Sequence, residues 1–308
     1  MTAPAEQLAD RLHDSLTNKS GKEREDDVVN IIKTNDLITR CHAAQYYEAK
    51  YNSELREDLK KKLGGDFRNL AGLCFLNPIE LDVKLLQKAF KGTSNKEDTV
   101  IEILTSRSYD YLQVVQRIYQ QKLGSELAKD VEKHFGGVIQ KCLLYLLGTK
   151  RKENPNPDLN FCVEEAKKLV SCKDGEWTKN EALFKEIFVD RSPEELVAIG
   201  RSYLQLTGTH FLDALEKRMG GTDRKLIREI MFNNIIPHEL FAEKLDNAIK
   251  GMGTNEEVVD RVLVTRSNID MPEIKEMYQF KVKKSLEESL KDDTSGKYQE
   301  LCLFLAQK

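Results

Sequence analysis

The sequence predicts an all-α protein built from four tandem copies of one unit, each of about five short helices. Of its 308 residues, 40% are apolar and 32% charged, only 7 are prolines, and the apolar residues recur at helical spacing. That composition and period are typical of helical globular proteins. The second observation is a set of residues that returns four times along the chain, which indicates an internal repeat.

The repeat is marked by Arg-Ser pairs that close apolar helices, with a weaker version in the first copy. The markers are residues 35, 107, 191 and 266, separated by 72, 84 and 75 residues. A glutamate stands ten residues before each marker: Glu25, Glu97, Glu181 and Glu256. Tetratricopeptide, armadillo and HEAT repeats are shorter, at roughly 34 to 47 residues, so they fit this period poorly.

We place copy one at residues 1–75, copy two at 76–148, copy three at 161–236 and copy four at 237–308. A polar segment, 149–160, carries Pro155 and Pro157, and we interpret it as a linker between two halves of the chain. In copy three, Ser192-Pro193-Glu194-Glu195 predicts a helix cap with proline at the first helical position.

Copy four contains a candidate cation site. Gly251 and Gly253 free the backbone of one short turn, so several carbonyl oxygens can point at a single spot. Calcium takes roughly 6 to 8 oxygen ligands, and Asp293 is the candidate carboxylate that completes the charge. Thr254 and Glu257 have the form of a capping box, which predicts a helix start after the turn. Alternatively, the glycines only permit a tight turn and Asp293 caps a helix.

The spacing permits the two parts of this site to meet. Three apolar-periodic segments separate Ile249 from Asp293. If the middle segment lies crosswise between two antiparallel helices, the turn before the first and the turn after the third face the same end of a bundle. We therefore expect one site made from two loops.

Copy four resembles the annexin repeat. The resemblance is carried by Ile249-Lys250-Gly251-Met252-Gly253-Thr254-Asn255-Glu256, by Arg266-Ser267 and by Asp293-Thr294-Ser295-Gly296-Lys297-Tyr298. It extends over nearly the whole chain but is looser in copies one to three, a divergence that resembles the alpha-giardins, the divergent protist annexins. It implies four annexin-like repeats forming a curved disc whose convex face meets phospholipid through calcium.

The same resemblance implies the ligands. These are the carbonyl oxygens of Ile249, Gly251 and Gly253 with the carboxylate of Asp293, and a weaker secondary site would use Thr254 and Glu256.

The other copies depart from this pattern. In place of the two glycines, copy one has Ser20 and Lys22, copy two Gly92 and Ser94, and copy three Glu176 and Thr178. In place of Asp293 they have Lys62, His134 and Arg218. We expect no such calcium site in copies one and three. Copy two stays open, because a shortened third segment could bring Asp130 into the position.

Two features are candidates for direct membrane contact. Lys60, Lys61, Lys62 and Arg218 stand where the family has acids, and we expect them to bind anionic head groups or sulfated sugars. A solvated basic loop is the alternative. Trp177, the only tryptophan, lies in the copy-three loop that corresponds to the calcium turn, so it either enters the membrane interface or folds against its own helix.

These observations predict calcium-dependent binding to anionic phospholipid membranes. A lipid phosphate would fill an open position on the ion, so calcium and lipid would bind cooperatively. The alternative is a structural protein that holds cytoskeletal filaments or sulfated glycans, with calcium secondary. The near-balanced net charge of −3 gives no argument for nucleic acid.

We expect a non-enzymatic, cytoplasmic protein at the membrane periphery. The chain lacks Gly-x-Ser-x-Gly, His-Glu-x-x-His and a phosphate loop. Residues 1–12 are polar and lack an apolar signal core.

Overall fold

The computed structural model describes residues 3–92, 96–173, 176–251 and 253–308, and every regular element in these ranges is helical. Copy one contains α1 Ala3–Asn18, α2 Gly21–Thr34, α3 Leu37–Tyr51, α4 Leu55–Lys62 and α5 Phe67–Leu73. Copy two contains α6 Pro78–Lys91, α7 Lys96–Ser106, α8 Tyr109–Leu123, α9 Leu127–His134 and α10 Gly137–Gly148. The predicted all-α class is confirmed.

Copies three and four follow the same plan. Copy three contains α11 Leu159–Ser171, α12 Glu181–Phe184 continued by a π-helical turn Lys185–Val189, α13 Pro193–Thr207, α14 Phe211–Arg218 and α15 Gly221–Ile235. Copy four contains α16 Pro237–Ile249, α17 Glu256–Arg266, α18 Met271–Val282, α19 Leu286–Asp293 and α20 Gly296–Ala306. The predicted cap of α13 is confirmed: the Ser192 side chain and Glu195 form a capping box, with Pro193 in the first turn.

The chain forms two compact units that do not divide it into a first and a second half. One unit combines residues 1–81 with 238–308, and the other consists of residues 82–237. The segment 149–160 therefore joins copies two and three inside one unit. The guanidinium of its Arg151 donates to the carbonyl oxygens of Phe188 (2.8 Å) and Arg191 (2.5 Å), which fastens the segment to copy three.

In the first unit, copies one and four share a core. Leu12, Ile31, Leu70, Leu263 and Leu301 belong to one cluster and are almost fully buried. Helix α20 packs on α2 and α5, and α17 packs on α5. Burial of this much apolar surface is the main stabilising term, and it fixes the loops at the helix ends relative to one another. The candidate site lies at such loops.

In the second unit, α7 of copy two packs against α15 of copy three. Lys225 pairs with Asp98 at 2.9 Å, and the Thr222 hydroxyl donates to Glu97, also at 2.9 Å. These contacts are at the start of α7 and α15. They join copies two and three at the starts of these two helices.

Candidate calcium site

The turn between α16 and α17 leaves helical geometry at its two glycines. Gly251 has a φ of +118° and Gly253 of +93°, values that side-chain-bearing residues rarely adopt. The turn is closed by hydrogen bonds from the Lys250 amide to the Asp246 carbonyl (2.9 Å) and from the Asn255 amide to the Ala248 carbonyl (2.7 Å). Met252 lies outside the described residues.

This backbone path leaves oxygen ligands available. Among the residues that the structure describes, no main-chain amide of a turn, loop or helix cap donates a hydrogen bond to the carbonyl oxygens of Ile249, Gly251 or Gly253. A carbonyl without an amide partner is a good ligand for a hard cation. The predicted release of carbonyls from the helix ladder thus agrees with the geometry of the turn.

The start of α17 differs from the prediction. Its N-cap is Asn255, whose side chain accepts from the Val258 amide at 3.4 Å, so the predicted capping box of Thr254 and Glu257 is wrong. Asparagine caps helices as well as threonine does. The shift by one residue releases the Thr254 hydroxyl for another partner.

That partner is Asp293, and the contact joins the two distant loops. The Thr254 hydroxyl donates to Asp293 Oδ2 at 2.5 Å and lies 3.3 Å from the Asp293 carbonyl oxygen. Asp293 is the last residue of α19, followed by Thr294 as the C-cap. The crossing argument from the sequence therefore gave the correct proximity.

An acidic cleft of about 310 Å³ opens beside this contact. It is lined by Glu25, Gly64, Gly65, Asp66, Phe67, Thr254, Glu256, Asp293, Thr294, Ser295, Lys297 and Tyr298. Four carboxylates face one ammonium group, and Lys297 is itself paired with Glu300 at 2.6 Å and with Asp26. The lining attracts cations.

The donor set selects the kind of cation. Across the described ranges, no three His, Cys, Asp or Glu side chains cluster as metal ligands. A site here would combine main-chain carbonyls with one or two carboxylates. Such an all-oxygen set fits calcium, whereas zinc prefers histidine and cysteine. The residues present therefore fit the ion that the sequence indicated.

The position of Asp293 recurs at the end of the fourth helix in every copy. Helices α4, α9, α14 and α19 are each eight residues long and end at Lys62, His134, Arg218 and Asp293. Copy four alone presents a carboxylate at this helix end.

Asp130 in copy two is held by hydrogen bonds from two hydroxyl groups. Its carboxylate accepts from the Tyr119 hydroxyl at 2.7 Å and from Ser125 at 3.0 Å. Burial and this hydrogen bond raise the pKa of Tyr119, so the phenol remains a donor to Asp130. These contacts hold the Asp130 carboxylate within its own repeat. Ser94, where copy four has a glycine, lies outside the described residues.

The Trp177 side chain is buried. It is only 1% exposed, its indole Nε1 donates to the Leu169 carbonyl at 2.9 Å, and its ring stacks on Phe211. Of the two alternatives for Trp177, the structure shows the folded one, in which the hydrogen bond and the stack stabilise the buried ring. Arg218 covers the indole at 4.7 Å and is not a free surface cation.

Lys60, Lys61 and Lys62 are exposed in the last turn of α4. Lys61 lies 3.4 Å from Asp58, an exposed contact of the kind that contributes little. These three ammonium groups thus remain available to an external anion.

In the described parts of the chain, no helix is long and apolar enough to cross a bilayer.

Comparison with known proteins identifies the family. The Annexin family model matches residues 81–146 and 240–305, which fall in copies two and four. Annexin A13 of Mus musculus is 32% identical over 278 residues, covering 90% of this chain and 88% of the relative.

Solved structures share the fold. Annexin III superposes with a TM-score of 0.89 at 27% identity, covering 100% of this chain and 94% of the other. Calcium-bound annexin (Sm)1 gives 0.81 at 27% identity, covering 99% and 90%. Alpha-14 giardin gives 0.81 at 16% identity, covering 98% and 99%, a likeness of fold alone. The four repeats, the copy-four turn and these matches together show that the chain belongs to the annexin family.

Proposed function

We propose that this protein binds anionic phospholipid membranes in a calcium-dependent way through copy four. The carbonyl oxygens of Ile249, Gly251 and Gly253 and the carboxylate of Asp293 would hold the ion. The observation that carries this proposal is the hydrogen bond between Thr254 and Asp293, which brings the glycine turn and the end of α19 together. The calcium-bound state of the related annexin (Sm)1 adds support.

The chemistry of the site favours coupling to lipid. Three carbonyls and one carboxylate supply fewer oxygens than the roughly 6 to 8 that calcium takes. An anionic phosphate oxygen can complete the shell, and the ion then neutralises part of the acidic cleft. By linkage, lipid raises the affinity for calcium as much as calcium raises the affinity for lipid. Thr254 and Glu256 line the same cleft and would form the weaker secondary site.

The test compares two neighbouring aspartates. Asp293→Asn removes the carboxylate charge, whereas Asp292→Asn removes the same charge from an exposed side chain that pairs with Lys284. Vesicle cosedimentation with phosphatidylserine is measured across a calcium titration, and calcium binding alone by calorimetry. We expect Asp293→Asn to need at least about tenfold more calcium, the size of effect that ligand-shell changes produce. Equal titrations for the two variants would refute the assignment.

A second mode of membrane binding is favoured by the exposed lysines of α4. Lys60, Lys61 and Lys62 would attract anionic head groups without calcium, each contributing about 1 kcal/mol near an anionic surface. The variant with all three changed to Gln is compared, in chelator, with one that changes Lys33, Lys50 and Lys167.

The two triple variants have the same net charge and remove exposed lysines at different positions; those of the control pair with Glu300, Asp10 and Glu164. We expect residual vesicle binding in chelator to fall only for the α4 variant. If both variants bind alike, the lysines are a solvated surface. Loss of heparin binding without loss of vesicle binding would instead indicate sulfated glycans as the ligand.

A further inference from the structure

In three copies of the repeat, the loop after the first helix is tied to the fourth helix, but the groups that make the tie differ. In copy four the tie is the hydrogen bond from Thr254 to Asp293. In copies one and three it is an arginine guanidinium that binds main-chain carbonyl oxygens. Carbonyl oxygens are also the ligands that a calcium turn offers.

In copy one the tie is Arg24, near the start of α2. Its Nη1 donates to the Lys62 carbonyl at the end of α4 at 2.9 Å, and its Nη2 donates to the Lys19 carbonyl in the loop between α1 and α2. The guanidinium therefore stands between the two loops that correspond to the glycine turn and to the end of α19.

In copy three the tie is Arg218 itself, at the position of Asp293. Its Nη2 donates to the Cys172 carbonyl, and its Nη1 lies 3.5 Å from the Leu169 carbonyl and 3.1 Å from the Tyr203 hydroxyl. The guanidinium also covers the ring of Trp177 at 4.7 Å. The two arginines come from different helices, yet both bind carbonyls of the first loop.

We propose that Arg24 and Arg218 are built-in cations that replace calcium as the link between loops in copies one and three. A guanidinium is permanently charged and carries five donors in a rigid fork, so it can satisfy two carbonyls at once. These loops are then ordered without metal, and they do not respond to calcium. The family model matches copies two and four, the copies in which we find no such arginine among the described residues.

The role of these arginines as substitutes for calcium rests on the proposed function, but the links themselves do not. The ties in copies one and three are present whether or not copy four binds an ion. Failure of the Asp293 test would leave the arginine links unaffected, and the reverse also holds.

Trp177 makes the copy-three link directly measurable, since it is the only tryptophan in the chain. Arg218→Ala is compared in chelator with Arg228→Ala, which removes an arginine that stacks on Phe232 at 4.2 Å in α15. We expect a red-shifted emission and stronger acrylamide quenching for Arg218→Ala alone. Added calcium should not restore the wild-type spectrum, because copy three has Glu176 and Thr178 in place of the glycines.

Two results would overturn the link in copy three. One is an unchanged Trp177 spectrum in Arg218→Ala, and the other is a spectrum that calcium restores. If Arg218→Ala does not fold, Arg218→Lys serves instead, because it keeps the charge but lacks the fork. It should give an intermediate quenching, whereas wild-type quenching would contradict the need for the planar guanidinium fork.

The copy-one link is tested by amide exchange. In chelator, Arg24→Ala should raise exchange of the amides around Lys19 and Lys62 by at least about tenfold, the effect of losing charge-assisted hydrogen bonds. The control is Arg68→Ala, an exposed arginine in α5. Arg24→Lys is the second variant if Arg24→Ala does not fold. Exchange at the wild-type rate in either variant would refute the role of Arg24.

Discussion

Gly251 allows the geometry of the calcium turn to be tested without changing any ligand atom. Its φ of +118° is unfavourable for alanine, yet an added Cβ would meet no atom within 4 Å. The substitution Gly251→Ala therefore acts through backbone strain and not through a clash. Holding a non-glycine residue in such a region costs about 1–3 kcal/mol.

This strain can lower either the free energy of unfolding or the affinity for calcium. If the turn keeps its conformation, Gly251→Ala lowers the free energy of unfolding by the full amount. If the turn relaxes, the carbonyls of Ile249 and Gly251 leave their positions and calcium binding weakens instead. At 1.4 kcal/mol for each factor of ten, the same amount corresponds to about 5- to 150-fold in affinity. The two losses should together account for about 1–3 kcal/mol.

The assay measures both quantities for one variant. Urea unfolding gives the loss in stability, and calorimetry with saturating anionic vesicles gives the loss in calcium affinity. The matched control is Gly148→Ala at the end of α10, where φ is ordinary and an added Cβ again meets no atom. The reasoning is refuted if Gly251→Ala retains both wild-type stability and wild-type calcium affinity.

Two further predictions concern carboxylates held by hydroxyl groups. Thr254→Val keeps the shape of the side chain but removes the hydroxyl that donates to Asp293, so calcium affinity should fall by about tenfold. Calorimetry compares this variant with Thr265→Val as the control. Equal calcium affinities for the two variants would contradict the prediction. Asp58 accepts from Ser53 at 2.6 Å and Tyr47 at 3.0 Å. Partial burial acts to raise the pKa of Asp58, but these hydrogen bonds outweigh burial and leave the pKa below its ordinary value. The stabilisation is thus present above the unfolded-state pKa of about 3.9 and is lost as pH falls through the folded-state pKa. Asp58→Asn should cost about 1–3 kcal/mol at pH 7, and this cost should shrink as the pH falls below the unfolded-state pKa. A cost that does not change with pH in urea unfolding would contradict the assignment.

The sequence predicted those features that depend on which side chain stands at a fixed distance from the marker residue of each repeat. The marker spacing located the ends of the fourth helices, and the crossing argument brought Asp293 to Thr254. The capping box failed by one residue, because Thr254 and Asn255 are both competent caps and only the tertiary contact with Asp293 decides between them.

Other features have no signature in a single sequence. The sequence left open whether Trp177 enters the membrane interface or folds against its own helix, because its burial depends on the Leu169 carbonyl and the ring of Phe211. Arg24 was missed because its acceptors are main-chain carbonyls, which every residue has. A link of this kind can be found only when the loops have been placed in space.

The pairing of copies one and four in one unit also connects the two proposed modes of membrane binding. Gly64, which lines the acidic cleft beside Asp293, follows Lys62 by two residues. The Cα atoms of Lys62 and Gly64 are at most about 7.6 Å apart, so Lys62 lies near the cleft. We expect the carboxylates of the cleft to weaken the attraction of Lys62 for an anionic surface. Calcium in the cleft would remove much of this opposing charge. The metal would then increase membrane binding twice, as a bridge to phosphate and by strengthening the field of the neighbouring lysines.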